Sequence, residues 1–215
     1  MEYTVFPVGP IAANCTIIWD DVSCEAVVCD PGGDGQRIVS ELQQRQLRPT
    51  GLLCTHAHFD HIDALSDVRA AFPDARIMLH KSDSELYNNT AVQGRAFGMQ
   101  ANTPPPVDRW IDQDDIIMVG EHKIKVLYTP GHAPGHTCFA FDHNGLDHIV
   151  CGDTVFAGSI GRTDLWGGDF KTLINSIITQ LFVYTDNTVL IPGHGPETTV
   201  GHERTHNPFL MGQSL

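Results

Sequence analysis

Short apolar runs rich in β-branched and aromatic residues recur along the chain, each closed by a cluster of turn-forming residues. Residues 3–8, 14–19 and 25–29 are of this kind and predict three antiparallel strands at the start. After the turn Asp30-Pro31-Gly32-Gly33-Asp34-Gly35 the period changes. Ile38, Val39 and Leu42 fall at helical spacing within 37–46, and the pattern stops before Pro49. Gly51-Leu52-Leu53-Cys54 is continuously apolar, as expected of a strand covered on both faces. A helix over 63–72 and a short buried strand over 76–79 follow. Such strand, loop, helix alternation is the layout in which α/β folds place ligands outside the strand ends.

Between 81 and 115 the pattern is weak, predicting only a helix near 83–88 and a loop through Thr103-Pro104-Pro105-Pro106. Segments 116–119 and 123–128 then read as a hairpin around Gly120-Glu121, followed by strands over 137–141 and 148–151. Phe170, Leu173, Ile174, Ile177, Ile178 and Leu181 give 169–182 one apolar helical face, and a strand over 188–191 comes next. A short helix is expected within 197–215. The whole reads as an α/β chain in which residues 1–215 form one domain.

Composition narrows the function classes. Formal charge is -13 with only 13 Lys and Arg, which excludes a general nucleic-acid surface and leaves any anionic substrate dependent on local cations. The first residues lack the basic start and apolar stretch of a secretory signal, and no run approaches the ~18 apolar residues of a membrane span, so a cytoplasmic protein is expected, away from membranes. The six cysteines include no C-x-x-C pair and mostly sit in apolar runs, as small buried residues of a reducing compartment do. Histidine stands out, with 12 in 215 residues.

Those histidines gather at predicted strand ends. Thr55-His56-Ala57-His58-Phe59-Asp60-His61 follows the strand at 51–54. Alternation in an extended segment lets His56 and His58 face one way, while the turn at Asp60 and His61 presents those two in another. His132 lies in Thr129-Pro130-Gly131-His132-Ala133-Pro134-Gly135-His136, Asp153 in Cys151-Gly152-Asp153-Thr154, and His194 in Pro192-Gly193-His194-Gly195. Imidazoles and carboxylates without thiolates suit zinc, iron or manganese. The simplest partition gives one metal His56, His58 and His132 and a second metal Asp60, His61 and His194, with Asp153 bridging. Asp60 has a further expected role, orienting the water that reacts. Asp30 reads as a strand-end turn residue or as a contact to a ligand histidine. His80, His122, His143 and His148 lack partner spacing and read as ordinary residues.

H-x-H-x-D-H, T-P-G-H-x-P-G-H, G-D-T-x-F and P-G-H-G, in this order over nearly the whole chain, resemble the metallo-β-lactamase superfamily and, within it, the type II glyoxalases or hydroxyacylglutathione hydrolases. The resemblance implies a four-layer αββα sandwich with a binuclear centre, zinc foremost among its candidate metals, held by the seven residues just partitioned. It also implies a structural place for His136. Glutathione-binding members carry basic residues on a C-terminal helical domain; here the chain ends soon after His194, as in compact single-domain bacterial members. The activity implied is hydrolysis of a glutathione thioester such as S-lactoylglutathione by a metal-bridging hydroxide, the thiolate leaving without a strong general acid. Arg162, in Gly161-Arg162-Thr163-Asp164, is a candidate for the substrate's carboxylate, or a partner for Asp164. The alternatives are an iron-dependent persulfide dioxygenase, whose relatives share a G-R-T-D segment and would use His56, His132 and Asp153, and a non-catalytic metal-binding module.

Overall fold

A computed structural model of the chain describes residues 1–212. One sheet runs in simple order through β1 (Glu2–Val8), β2 (Ala13–Trp19), β3 (Glu25–Cys29), β4 (Arg48–Leu53), β5 (Arg76–His80) and β6 (Arg109–Ile111). The second begins with β7 (Ile116–Val119), β8 (His122–Tyr128), β9 (Thr137–His143) and β10 (Leu146–Gly152). A small hairpin of β11 (Val155–Phe156) and β12 (Ser159–Ile160) intervenes before β13 (Val189–Pro192) and β14 (Thr198–Thr199) close that sheet beside β10. The helices are α1 (Gly35–Gln44), α2 (Phe59–Ile62), α3 (Leu65–Ala71), α4 (Ser84–Asn88), α5 (Thr90–Ala96), α6 (Phe170–Ser176) and α7 (Val200–His206).

Four layers have three interfaces, and the apolar residues divide into three clusters accordingly. Ile17, Val28, Leu52 and Ile77 turn outward from the first sheet onto Ile38 and Leu42 of α1 and Leu65 and Val68 of α3. Their neighbours Ile18, Val27, Leu53 and Met78 turn inward, meeting Val126, Phe139, Val150 and Ile191 of the second sheet. Leu127, Cys138, Ile149 and Leu190 lie on that sheet's outer face, against Leu173, Ile174 and Ile177. Adjacent residues of one strand thus serve different interfaces, which is why these strands read as unbroken apolar runs and not as alternation. The resulting αββα sandwich is the architecture the sequence motifs imply.

The middle of the chain departs from the sequence reading. The helix expected near 83–88 is a 3₁₀ turn at Lys81–Asp83 followed by α4. A second helix, α5, and strand β6 stand on either side of the predicted loop, where no element was read, and the hairpin β11–β12 was not foreseen. The helix expected over 169–182 is α6 continued by a wider π turn, Ile177–Leu181. The short C-terminal helix is α7; residues 213–215 of the segment in which it was expected lie outside the described residues. All six cysteines are unpaired, and all but Cys24 are buried. Among the described residues no helix is long and apolar enough to cross a membrane.

Strand direction decides where the site sits. Since β10 pairs parallel with β13, and β9 antiparallel with both β8 and β10, the C-terminal ends of β8, β10 and β13 share one edge of the second sheet. Backbone bonds tie that edge to the first sheet: Thr137 donates to the Thr55 carbonyl at 2.7 Å, and Asn14 to the Gly193 carbonyl at 2.7 Å. Asn14 Nδ2 adds bonds to the carbonyls of Pro192 and Gly195.

Candidate metal centre

The segment after β4 bends at Thr55 and His56, is extended at His58 and then forms the single turn α2, whose carboxylate is Asp60 and whose imidazole is His61. The segments leaving β8, β10 and β13 bring His132, Asp153 and His194 to the same place. Gly152, at φ 46°, turns the chain into Asp153, and a Cβ on Gly193 would stand 2.1 Å from Asp153 Oδ1. Both positions therefore require glycine.

Ring nitrogens of His56, His58 and His132 converge. His58 Nδ1 is 2.9 Å from both His56 Nε2 and His132 Nε2. The outer nitrogens fix two of the tautomers. His132 Nδ1–H donates to the Arg162 carbonyl at 2.7 Å, leaving a lone pair on Nε2. Thr55 Oγ1 gives its own proton to Asp30 Oδ2 and so accepts from His56 Nδ1, which leaves His56 Nε2 with a lone pair as well. Burial, reinforced by neighbouring imidazoles, holds His56 well below the ordinary histidine range and brings His58 down to about 3. Burial also lowers His132, against the pull of Asp153.

Asp60, His61 and His194 form the second group, with Asp60 Oδ2 3.3 Å from His194 Nε2 and 3.7 Å from His61 Nε2. Asp153 lies between the groups. Its Oδ1 is 3.4 Å from His61 Nε2 and 3.8 Å from His194 Nε2, while its Oδ2 is 3.5 Å from His132 Nε2. His61 Nδ1–H donates to Asp30 Oδ2 at 2.9 Å. Burial opposes charge on His61, but Asp153, Asp60 and Asp30 outweigh it and push the imidazole up to about 10. Burial likewise raises Asp60, yet His61 and His194 bring it below the usual carboxylate range. His194 is raised overall, the Asp60 and Asp153 carboxylates overcoming burial.

These residues fit divalent cations. His61 Nε2 and Asp153 Oδ1 are buried polar atoms with no hydrogen-bond partner, and they face each other. Clustered lone pairs on one side and carboxylates on the other ask for positive charge between them; without a metal, a proton on His61 supplies it. Asp30 also comes within reach of His56 and His61, but its two oxygens are taken by the Thr55 amide and hydroxyl and by His61, so it orients ligands and does not complete a third group. The groups open onto a cavity of about 190 Å³ walled by Ile11, Phe59, Phe97 and Leu165, with Gln93 and Arg162 at its side.

All seven residues singled out in the sequence meet here. His136 accepts from the Asp153 amide at 3.1 Å, stacks on His56 and directs Nδ1 at the Thr129 and Thr154 hydroxyls. Of the two readings of Asp30, its bond to His61 selects the contact to a ligand histidine. The Arg162 guanidinium lies along the Asp164 carboxylate with two contacts of 2.8 Å, so the charge proposed for a substrate carboxylate already has a partner. Asp83 went unnoticed in the sequence. Fully buried after β5, it accepts from the amides of Ala57 and Gly135 and joins the loop of His56 and His58 to the loop of His132 and His136. Burial pushes its carboxyl up to about 6 against those two bonds. Its signal was position, an acid just past a strand end like the ligands themselves.

Known proteins share this build over their full length. Hydroxyacylglutathione hydrolase GloC of Haemophilus influenzae is 35% identical over 215 residues, covering the full length of both chains. The crystal structure of BLEG-1 B3 metallo-beta-lactamase is 37% identical with a TM-score of 0.90, the match covering 98% of this chain and all of that one. A di-iron-bound form of TTHA1623 is 35% identical with a TM-score of 0.86, covering 96% and 100%. The metallo-beta-lactamase superfamily model matches residues 8–194, from the end of β1 to the last candidate ligand, and the chain belongs to that superfamily.

Proposed function

We propose that this chain is a metal-dependent hydrolase acting on thioesters, with S-lactoylglutathione as the substrate to test first. The observation that carries the reading is the pair of ligand groups joined by Asp153 at the floor of an open, largely apolar cavity. The full-length likeness to GloC and the di-iron form of TTHA1623 support it. Zinc, iron and manganese all suit the donor set.

His56, His58 and His132 would hold one divalent cation and Asp60, His61 and His194 a second, which would supply Lewis-acid polarisation of a carbonyl and a water acidified to a pKa of about 7. The protein's own groups do the rest. Asp60 stays ionised and offers its carboxylate to a water proton, orienting the oxygen lone pair toward the carbonyl. Asp30 and the Arg162 carbonyl fix the rings of His61 and His132, so that little reorganisation accompanies the reaction. Ile11, Phe59, Phe97 and Leu165 keep bulk water from the acyl group.

The leaving group distinguishes thioesters from amides. Every imidazole lining the cavity belongs to a ligand group, and Arg162 is paired, so no lining side chain among the described residues stands ready to protonate a departing amine. A thiolate, from a thiol of ordinary pKa about 8.5, departs unprotonated. The test is a parallel assay of metal-analysed protein on S-lactoylglutathione, on a chromogenic cephalosporin, and on glutathione persulfide with oxygen uptake. Thioester cleavage exceeding the other two is expected; cephalosporin turnover or oxygen uptake in its place overturns the reading.

A further inference from the structure

Two peptide groups separate His56 from His58, and neither lies in a strand, so their polar atoms need partners from outside the sheets. One neighbouring segment supplies them. Asp83 Oδ2 accepts from the Ala57 N–H at 2.9 Å, and Gln93 Nε2 donates to the Ala57 carbonyl at 3.0 Å. The first bond grips the peptide that follows His56, the second the peptide that precedes His58. Each peptide moves as a rigid plane, so turning either one swings one imidazole against the other. The other oxygen of Asp83 accepts from the Gly135 N–H, in the loop that carries His132. Both grips share a base: Asp83 immediately precedes α4, and the second amide proton of Gln93 goes to the carbonyl of Leu86 in α4 at 2.7 Å. Asp83 is fully buried, and among the described residues no lysine or arginine pairs with it, so the cost of enclosing this carboxylate is met by the two amides alone.

The second group rests on other supports. Asp60 and His61 belong to α2, His61 is held by Asp30, and the segment of His194 is held by Asn14. Asp30 reaches both groups, since it also binds Thr55, whose hydroxyl meets His56. The hydrogen bonds of Asp83 and Gln93 reach only the segments of the first. We propose that Asp83 and Gln93 are positioning residues for the group of His56, His58 and His132: they set the angle between the first two imidazoles and the gap to the third, and thereby how tightly this group alone holds a cation. Neither residue hydrogen-bonds a ligand side chain. They act by ordering the ligands in advance, which spares the cation that cost. The inference rests on the reading of the two groups as cation sites and is independent of the substrate cleaved there.

The zinc affinity of each group by itself, read by competition with a fluorescent chelator and with no substrate present, tests this. Asp60→Ala isolates the first group and His58→Ala the second. Adding Asp83→Asn sets an NH₂ against one of the two backbone donors, so one grip is lost at nearly unchanged shape. It is expected to weaken zinc binding about tenfold or more in the Asp60→Ala chain and by less than about threefold in the His58→Ala chain. Gln93→Leu, at a half-buried position of α5, frees the Ala57 carbonyl alone; a loss of about threefold or more at the first group is expected, with the second unchanged. Should Asp83→Asn fail to fold by circular dichroism, the Gln93→Leu pair decides. Equal losses at the two groups would make these residues general props of the fold and overturn the inference, as would undiminished binding at the first group. A selective loss in one variant only overturns the role of the other residue. Zinc binding by neither parent chain overturns the reading of the groups as cation sites, and the inference with it; turnover plays no part, so the thioester reading is decided by its own assay.

Discussion

His61 shows how one side chain couples the protein's charge to its metal. Three carboxylates hold it protonated up to about 10, so at neutral pH the metal-free protein carries a proton where a ligand lone pair must form. Binding a cation to the second group must release that proton below pH 10, and the apparent affinity should rise at least about tenfold per pH unit between roughly 7 and 9. Calorimetric titration of zinc into chelated protein, in buffers of different ionisation enthalpy, reads the proton count directly; about two protons released near pH 7.5 are expected, one from His61 and most of one from the coordinated water, and a count below one would remove the argument. Asp60 sets a second expectation. Its carboxylate is a member of that group and, in the proposed mechanism, the acceptor of the water proton, so Asp60→Ala should lower kcat by roughly 10²–10⁴-fold and reduce bound metal toward one ion per chain. Full activity with two ions retained in the variant would show that neither role is needed.

Strands and loops were unequally legible. The buried strands announced themselves because Leu52 and Leu53, or Ile149 and Val150, face different cores and leave no polar position between. Ligands were legible for a related reason, since four strand ends each closed on histidine or aspartate. Elements held by tertiary context alone were not. β6 is three residues long, exposes Trp110 and exists through pairing with β5, while α5 buries only Thr90 and Gly94 and shows no apolar face. Asp30 was ambiguous, and Asp83 went unread, because a lone carboxylate after a strand is spelled the same as a turn residue. The loop junction made by Asp83 can be tested through its titration. Raised from 3.8 to about 6, this carboxyl binds more proton in the native than in the unfolded chain between those values, so its contribution to stability falls as pH rises through that window. Relative to Asp83→Asn, which does not titrate, wild-type stability in urea should drop by about 2 kcal/mol from pH 4 to pH 6 and level off above about pH 7. A flat difference would place the pKa elsewhere. At the end of β13, Gly193→Ala sets a methyl against Asp153 Oδ1 and His61 Cε1, and loss of at least one metal ion per chain is expected from elemental analysis.

Taken whole, the molecule is an anion that brings cation-seeking chemistry to one edge of its sandwich. Its formal charge of -13 surrounds a cavity whose single guanidinium, Arg162, is already paired with Asp164. S-lactoylglutathione is itself net anionic, so it must approach against the protein's field before any local attraction acts. Two divalent cations bring the loaded protein to about -9, and treated as a sphere of about 20 Å radius it repels a unit negative charge at its surface by about 1.1 kcal/mol at 0.01 M salt and about 0.5 kcal/mol at 0.15 M. Screening should therefore raise kcat/KM for the glutathione thioester by about threefold over that range, opposite in sign to the salt response of an enzyme that steers its substrate electrostatically. A thioester of an uncharged thiol should show little change. Measuring both at fixed metal occupancy separates the two: a rise confined to the anionic substrate locates the barrier in the overall charge. A fall with salt would mean that local cations at the centre, with Arg162, dominate the approach, and the negative surface would then have no part in selecting what enters.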